Sequence, residues 1–288
     1  MNKISSWVEA MRLRTLPVSL AGVVAALAFN LADGTFKVLP AALCLVFAVL
    51  CQIASNFANE YYDYRAGRDR AGREGPRRGV TEGDITPSDM KRAVFLTLLL
   101  AAVAGLCIAA FGGWWLIAAG VLIGVGALAY SAGPWPLSTH CLGEAAVIFF
   151  FGIIPVNLTY YVQAHAWNLP VFMASLAIGL MGANVLIVNN YRDIPDDKAV
   201  GKHTLATVFG RRAMLVLYAL DALVAAALTF RQFDRSAWAL VPMLYAVWSL
   251  FVAMRMNRLS GRAVNPMLGL TALTMFVYSL LLMLSKCC

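Results

Sequence analysis

Two long stretches without ionisable charge constrain this chain more than any other feature. From Ala93 to Gly143, and again from Ala145 to Tyr191, the sequence contains no Asp, Glu, Lys or Arg. A helix needs about 20 apolar residues to cross the hydrocarbon core of a bilayer, so each stretch is long enough for two membrane-spanning helices. Only 13% of the residues are charged, against about 25% in typical soluble domains. This composition excludes a soluble globule.

The polar breaks between apolar runs predict an all-α polytopic membrane bundle of about nine transmembrane helices with a cytoplasmic cap. We expect a single transmembrane domain over residues 1–288. The predicted spans are residues 16–32, 38–58, 93–111, 114–131, 145–163, 170–189, 213–230, 236–254 and 264–285.

Nine crossings place alternate connections on opposite sides, so the distribution of basic residues predicts the orientation. Of the 23 Lys and Arg residues, only Lys37, Arg231, Arg235 and Lys286 fall on one side. By the positive-inside rule the other side, which includes the N-terminus, faces the cytoplasm, and we expect a bacterial inner-membrane protein. The net charge of +8 reflects this asymmetry. No basic stripe interleaved with aromatic residues predicts a nucleic-acid partner, and nothing indicates a protein partner.

Acidic residues concentrate in two segments on the basic side. One segment contains Asn59-x3-Asp63-x3-Gly67, and the other contains Asn189-x3-Asp193-x3-Asp197-x3-Gly201. Residues three or four apart share one face of a helix. Because the motifs follow spans two and six, an offset of four spans places them on the same side of the membrane. We predict that they converge on one cavity.

Carboxylates gathered in this way need a cation between them. At 4 Å a like-charge pair costs about 4 kcal/mol at an effective dielectric constant of 20. Carboxylate oxygens with basic neighbours suit Mg²⁺, which keeps several waters and completes its shell with phosphate oxygens. Six nearby basic residues are available for the diphosphate charge that remains: Arg65, Arg68, Arg77, Arg78, Arg192 and Lys202. Of these, we select Arg65, Arg77, Arg192 and Lys202 as the diphosphate-binding residues. The implied substrate has an anionic head and an apolar tail.

With several further blocks, the two motifs resemble the UbiA superfamily of intramembrane prenyltransferases. The resemblance extends from residue 12 to about residue 210 and is closest to the branch that prenylates 1,4-dihydroxy-2-naphthoate. The additional blocks are RLRTLPVS (residues 12–19), GPRRG (75–79), MKRA (90–93), YSAGPWPL (130–137), LGE (142–144) and TYYVQ (159–163). The chain departs from the family at Glu60, where an Asp is usual, so we do not predict Glu60 as a necessary ligand.

The resemblance implies transfer of a polyprenyl chain from polyprenyl diphosphate to 1,4-dihydroxy-2-naphthoate, with loss of carbon dioxide, giving a demethylmenaquinone in menaquinone biosynthesis. Mg²⁺ would stabilise the leaving diphosphate, and the electron-rich ring would attack the allylic carbocation. The resemblance places metal ligands at Asp63, Asp69, Asp193 and Asp197, catalytic residues at Asp63, Asp193 and Asn59, and acceptor-binding residues at Arg12, Arg14, Lys91 and Tyr130.

Several alternatives remain open from the sequence. Arg12 and Arg14 also suit anchoring at the membrane surface, and Tyr130 also suits an interfacial aromatic belt. The acceptor could instead be 4-hydroxybenzoate, homogentisate or an isomeric dihydroxynaphthoate. A secondary transporter is less consistent, since its sites would lie near the bilayer midplane. The sequence predicts no prenyl length, oligomeric state or role for Asp221.

Overall fold

The computed structural model describes residues 3–233 and 236–287, and this part of the chain consists of helices joined by turns and loops. The α-helices are α1 (Lys3–Met11), α2 (Leu16–Ala32), α3 (Val38–Arg65), α4 (Pro87–Gly112), α5 (Leu116–Ala129), α6 (Gly143–Val147), α7 (Ile154–Ala164), α8 (Leu169–Ala199), α9 (Leu205–Thr229), α10 (Leu240–Met256) and α11 (Asn265–Cys287). A π-helical segment, Ile148–Ile153, joins α6 to α7.

Eight helical segments in the described residues are long and apolar enough to cross a membrane, and the shorter apolar helix α5 lies among them. The predicted all-α membrane bundle is therefore confirmed. Several helices extend beyond the predicted spans, and two of them carry the acidic motifs: α3 continues to Arg65 and α8 to Ala199. Backbone hydrogen bonding continues where apolarity ends, so both acidic motifs occupy the last turns of long helices.

Local sequence explains where several helices begin and end. The Thr86 hydroxyl accepts a hydrogen bond from the Asp89 backbone N–H (3.1 Å) and caps α4. At the start of α9, Thr204 and Thr207 form a reciprocal capping box. Beyond α3, Gly67 has a φ of +66°, a conformation that is easy only for glycine. This turn directs residues 68–86 back over the helix ends, and we call this segment the cap loop.

Close backbone contact holds the π-helical segment against α8. A Cβ atom on Gly152 would lie 2.4 Å from the Gly179 Cα, so only glycine permits this approach. Pro155 follows in the first turn of α7, and proline cannot donate a backbone hydrogen bond to the helix before it. The segment therefore fixes α6 beside the half of α8 that carries the second acidic motif, which matters for the site.

Connections at the basic end of the bundle contact one another. The Cys141 backbone N–H donates to the His203 carbonyl (2.8 Å), and the His203 N–H donates to the Thr139 carbonyl (3.3 Å). The cap loop reaches the start of α11, where Glu74 accepts from the Arg262 backbone N–H (2.9 Å). These contacts assemble a cap over the ends of α3 and α8.

Candidate active site

Two cavities meet beneath the cap. The first, which we call the acidic cleft, lies between the ends of α3 and α8; the second, the apolar cavity, lies deeper among α2, α3, α5 and α7. Each contains about 1070 Å³ of space not filled by atoms. They share the wall formed by Gln52, Ser55, Tyr130, Val147 and Phe151. The combined shape suits a molecule with a polar head and a long apolar tail.

Asn59 and Asp63 form the α3 side of the acidic cleft. The Asn59 side-chain oxygen accepts hydrogen bonds from Arg12 Nη2 (2.7 Å) and Arg78 Nη2 (2.9 Å). Its amide nitrogen donates to Asp63 Oδ2 (3.3 Å). Arg68 Nε donates to the other Asp63 oxygen at 2.9 Å. Asp63 is fully buried, so these donors replace the water that a buried carboxylate has lost.

Asp193 forms the opposite side, on α8. Arg192 contacts both of its oxygens, with Nε donating to Oδ1 (2.7 Å) and Nη2 to Oδ2 (2.8 Å). Arg192 Nη2 also donates to Asn189 Oδ1 (2.7 Å), and Nη1 donates to Asn265 Oδ1 (2.9 Å). Arg192 thus fixes Asp193 and ties α8 to α11.

Two cations join the motifs across the cleft. Arg73, from the cap loop, donates to Asp69 Oδ1 (2.8 Å) and to Asp193 Oδ2 (3.1 Å). Lys202, just after α8, lies 3.4 Å from Asp63 Oδ2 and 3.6 Å from Asp197 Oδ1. The acidic helix ends therefore meet on the same side of the bundle, close enough for one side chain to span them.

Burial alters the electrostatics of the cap loop. Loss of water raises the pKa of Asp69 to about 6, although the charge of Arg73 opposes this rise. Burial alone would lower the pKa of Arg73, but the carboxylates of Asp193 and Asp69 raise it overall. Arg73 therefore stays protonated, and it neutralises two carboxylates that would otherwise face each other.

The donor set fits Mg²⁺. Asp63, Asp69, Asp193 and Asp197 offer hard oxygen ligands, and Asp69 Oδ2 is buried without a hydrogen-bond donor. In the described part of the chain, no three His, Cys, Asp or Glu side chains converge as a ready-made metal site. This agrees with an ion that takes one or two carboxylates and completes its shell with water and phosphate oxygens.

The structure brings some of the predicted basic and aromatic residues to the cleft but not others. Arg12, Lys202 and Tyr130 line it, and Arg192 lies directly behind Asp193. The remaining four lie away from it: Arg65 is exposed beside the Tyr61 ring, Arg77 pairs with Asp84, and Arg14 and Lys91 are exposed.

Sequence reasoning missed Arg73, and it did not show which of the other cap-loop arginines contact the acids. The cap loop contains several arginines, and only its folded path selects Arg68, Arg73 and Arg78. The sequence offered one indication of the Arg73–Asp69 contact, which is that Arg73 lies four residues after Asp69. Glu60 does not line the cleft; its Oε1 accepts the Val80 backbone N–H (3.0 Å) and anchors the cap loop.

An apolar helical bundle in which an apolar cavity adjoins two facing acidic motifs is characteristic of integral membrane enzymes acting on lipid-linked anions. The chain belongs to the UbiA prenyltransferase family, which it matches over residues 16–283. It is therefore a membrane prenyltransferase, and the resemblance seen in its motifs is confirmed.

Curated relatives and solved structures agree with this assignment. The chain is 37% identical over 285 residues to a 1,4-dihydroxy-2-naphthoate octaprenyltransferase of Mycobacterium tuberculosis, covering 97% of this chain and 96% of the relative. The enzyme of the same name from Escherichia coli is 37% identical over 217 residues, or 73% of this chain and 70% of that one. A UbiA homolog from Archaeoglobus fulgidus, solved with GPP and Mg²⁺, has the same fold: its TM-score is 0.70 at 15% identity, over 96% of this chain and 99% of that one.

Proposed function

We propose that this protein transfers a polyprenyl chain from polyprenyl diphosphate to 1,4-dihydroxy-2-naphthoate, with loss of carbon dioxide, giving a demethylmenaquinone for menaquinone biosynthesis. The observation that carries the proposal is the wall shared by the acidic cleft and the apolar cavity, since a diphosphate head in the one would lie beside an isoprenoid tail in the other. The acceptor follows from the two relatives described above, both named for this naphthoate.

The cleft residues have different roles at the diphosphate. Asp63, Asp69, Asp193 and Asp197 would hold Mg²⁺, which when bound acts as a Lewis acid that stabilises the departing diphosphate. Lys202 and Arg73 lie between the motifs, where they would pair with the remaining phosphate charge. Asn59 positions Asp63 through its amide.

Tail and ring would meet at the shared wall. The apolar cavity is lined by residues such as Phe150, Ile154 and Leu158, and it would bury the isoprenoid chain away from water. Water exclusion matters because an allylic cation reacts readily with water. Tyr130 lines both cavities, and its ring would stabilise the developing cation. Arg12, which also lines the cleft, would meet the naphthoate carboxylate.

The orientation follows from charge. All residues proposed for the diphosphate lie at the end of the bundle that holds most of the basic residues. We infer that this end faces the cytoplasm and that the protein resides in a bacterial inner membrane, where the diphosphate head and the acid substrate reach the cleft from the aqueous side.

Product analysis tests the proposed function. Purified protein in liposomes is incubated with Mg²⁺, a prenyl diphosphate of defined length, and either 1,4-dihydroxy-2-naphthoate, 4-hydroxybenzoate or homogentisate. We expect a prenylated, decarboxylated naphthalenediol by mass analysis, and no product after chelation of the metal. Product formed only from another acceptor would overturn the substrate assignment, and metal-independent solute uptake without product would overturn the enzyme assignment.

A further inference from the structure

One asparagine of the acidic cleft differs from the others in its hydrogen bonding. Four line the cleft: Asn56, Asn59, Asn189 and Asn190. The first three use their side-chain oxygens within the protein, accepting from Gln52, from Arg12 and Arg78, and from Arg192, respectively. Among the described residues no donor reaches the Asn190 oxygen, and that atom is not among the buried unpaired ones. It is an open acceptor on the cleft wall.

Glu144 fixes the direction of this amide. Asn190 Nδ2 donates to Glu144 Oε1 at 2.9 Å, and both side chains are buried. Because the nitrogen of the Asn190 amide faces Glu144, the oxygen of the same amide points away from it. Within the described chain Glu144 forms no salt bridge. Its hydrogen bond with Asn190 is therefore its contact with a residue of the cleft.

Asn190 lines the acidic cleft together with Tyr130. The Tyr130 hydroxyl would lie 3.6 Å from a Cβ on Gly143, the residue before Glu144, and Tyr130 belongs to the wall shared by the two cavities. A close approach of Gly152 to α8 holds α6 in this position. The open acceptor therefore borders the same cleft as Tyr130, and its partner Glu144 lies on the helix held there.

We propose that Asn190 binds a phenolic hydroxyl of the aromatic acceptor through its side-chain oxygen, and that Glu144 is the positioning residue that presents this oxygen. The inference rests on the proposed function and deepens it by naming an acceptor contact. A hydroxyl that donates to an amide oxygen carries more electron density into its ring, which favours attack by the ring carbon. The contact also selects ring acids that carry a hydroxyl at the correct position.

Inhibition by deoxy analogues tests the contact. The analogues 1-hydroxy-2-naphthoate and 4-hydroxy-2-naphthoate, each lacking one hydroxyl, compete with 1,4-dihydroxy-2-naphthoate in the wild type and in Asn190→Leu. We expect Asn190→Leu to weaken the full acceptor and one analogue by about 3- to 10-fold, the range of one lost hydrogen bond. The other analogue, which lacks the contacting hydroxyl, changes less than twofold, as does the KM for prenyl diphosphate.

Variants at Glu144 separate positioning from general damage. Glu144→Met frees the amide to rotate and should reproduce the Asn190→Leu pattern. Glu144→Gln retains an oxygen that accepts from Asn190 Nδ2 and should restore wild-type selectivity. The matched control is Asn157→Leu, because Asn157 is a buried asparagine that donates only to the Ile153 carbonyl of its own helix; it should leave all constants unchanged.

The outcomes distinguish this inference from the proposed function. If the wild type prenylates 1,4-dihydroxy-2-naphthoate but Asn190→Leu weakens all three acids equally, the contact is wrong while the function stands. If Glu144→Gln does not restore wild-type selectivity while Glu144→Met keeps full activity, the positioning role is wrong. If the wild type does not accept the naphthoate, the proposed function itself fails.

Discussion

Replacing Arg73 by glutamine removes the guanidinium that joins Asp69 of the cap loop to Asp193 of α8. Arg73 contacts Asp69 and Asp193, whose side chains are only 1% and 2% exposed. Without it, two buried carboxylates lose a shared partner and face each other across the cleft. The variant therefore tests whether Arg73 holds the cap loop against the end of α8.

The expected cost follows from the contacts that remain. Removing one partner of a buried ion pair costs about 3–5 kcal/mol. Asp193 keeps both hydrogen bonds from Arg192, and Asp69 keeps Arg78 at 3.5 Å, so we expect the lower end, about 3 kcal/mol. At about 2–4 °C per kcal/mol, the apparent melting temperature should fall by about 8 °C.

The assay is thermal unfolding of purified protein in detergent, with and without Mg²⁺ and inorganic diphosphate. A divalent cation among the same carboxylates replaces the missing charge, so the ligands should recover more than half of the deficit. The matched control is Arg70→Gln, because Arg70 lies in the same loop but is exposed and donates only to the Ala199 carbonyl; it should stay close to the wild type. An Arg73→Gln protein as stable as the wild type without ligands, or a deficit unchanged by them, would refute the reasoning.

Three other changes address the acids, the cap and the bundle. Asp63→Asn or Asp193→Asn should reduce prenyl transfer about 100-fold or more at unchanged membrane content, measured by product mass; near-normal turnover contradicts the site. Glu60→Leu leaves the buried Val80 backbone N–H unpaired, which costs about 1–3 kcal/mol, and should speed proteolysis of the cap loop. The Mg²⁺ dependence of activity should stay the same; a shifted dependence would make Glu60 a ligand. Gly152→Val should lower the melting temperature, because overpacking against α8 costs about 1–3 kcal/mol. The control is Gly124→Val, since a Cβ at Gly124 would have no neighbour within 4 Å, and it should leave the melting temperature unchanged. Equal effects of the two variants would argue against the close contact.

The fold was predictable because the bilayer imposes a simple rule on composition. The charge-free stretches and the positions of the polar breaks suffice to predict nearly every helix. The ends of α3 and α8 were not predictable from apolarity, since Arg65 and Ala199 lie in polar sequence that stays helical. The π-helical segment Ile148–Ile153 was also not predictable, because it lies within an apolar run whose sequence predicts one continuous α-helix.

The acidic residues were predictable for a different reason. Asp63 and Asp193 repeat the same helical spacing after an asparagine, so their shared face follows from helix geometry. Their cationic partners come from loops, where sequence distance does not fix spatial distance. Arg65 belongs to the same helix as Asp63 yet points outward, whereas Arg73 reaches across the cleft from the cap loop.

Charge balance gives the cleft its preference for a particular ligand. Asp63, Asp69, Asp193 and Asp197 are opposed by a larger set of cations in the described chain, which are Arg12, Arg68, Arg73, Arg78, Arg192 and Lys202. A free divalent ion would enter a site whose carboxylates already have partners, and it would add to an excess of positive charge. A diphosphate supplies the opposing charge and offers phosphate oxygens that Mg²⁺ binds readily. We therefore expect the cleft to bind the metal as its diphosphate complex rather than as a free ion.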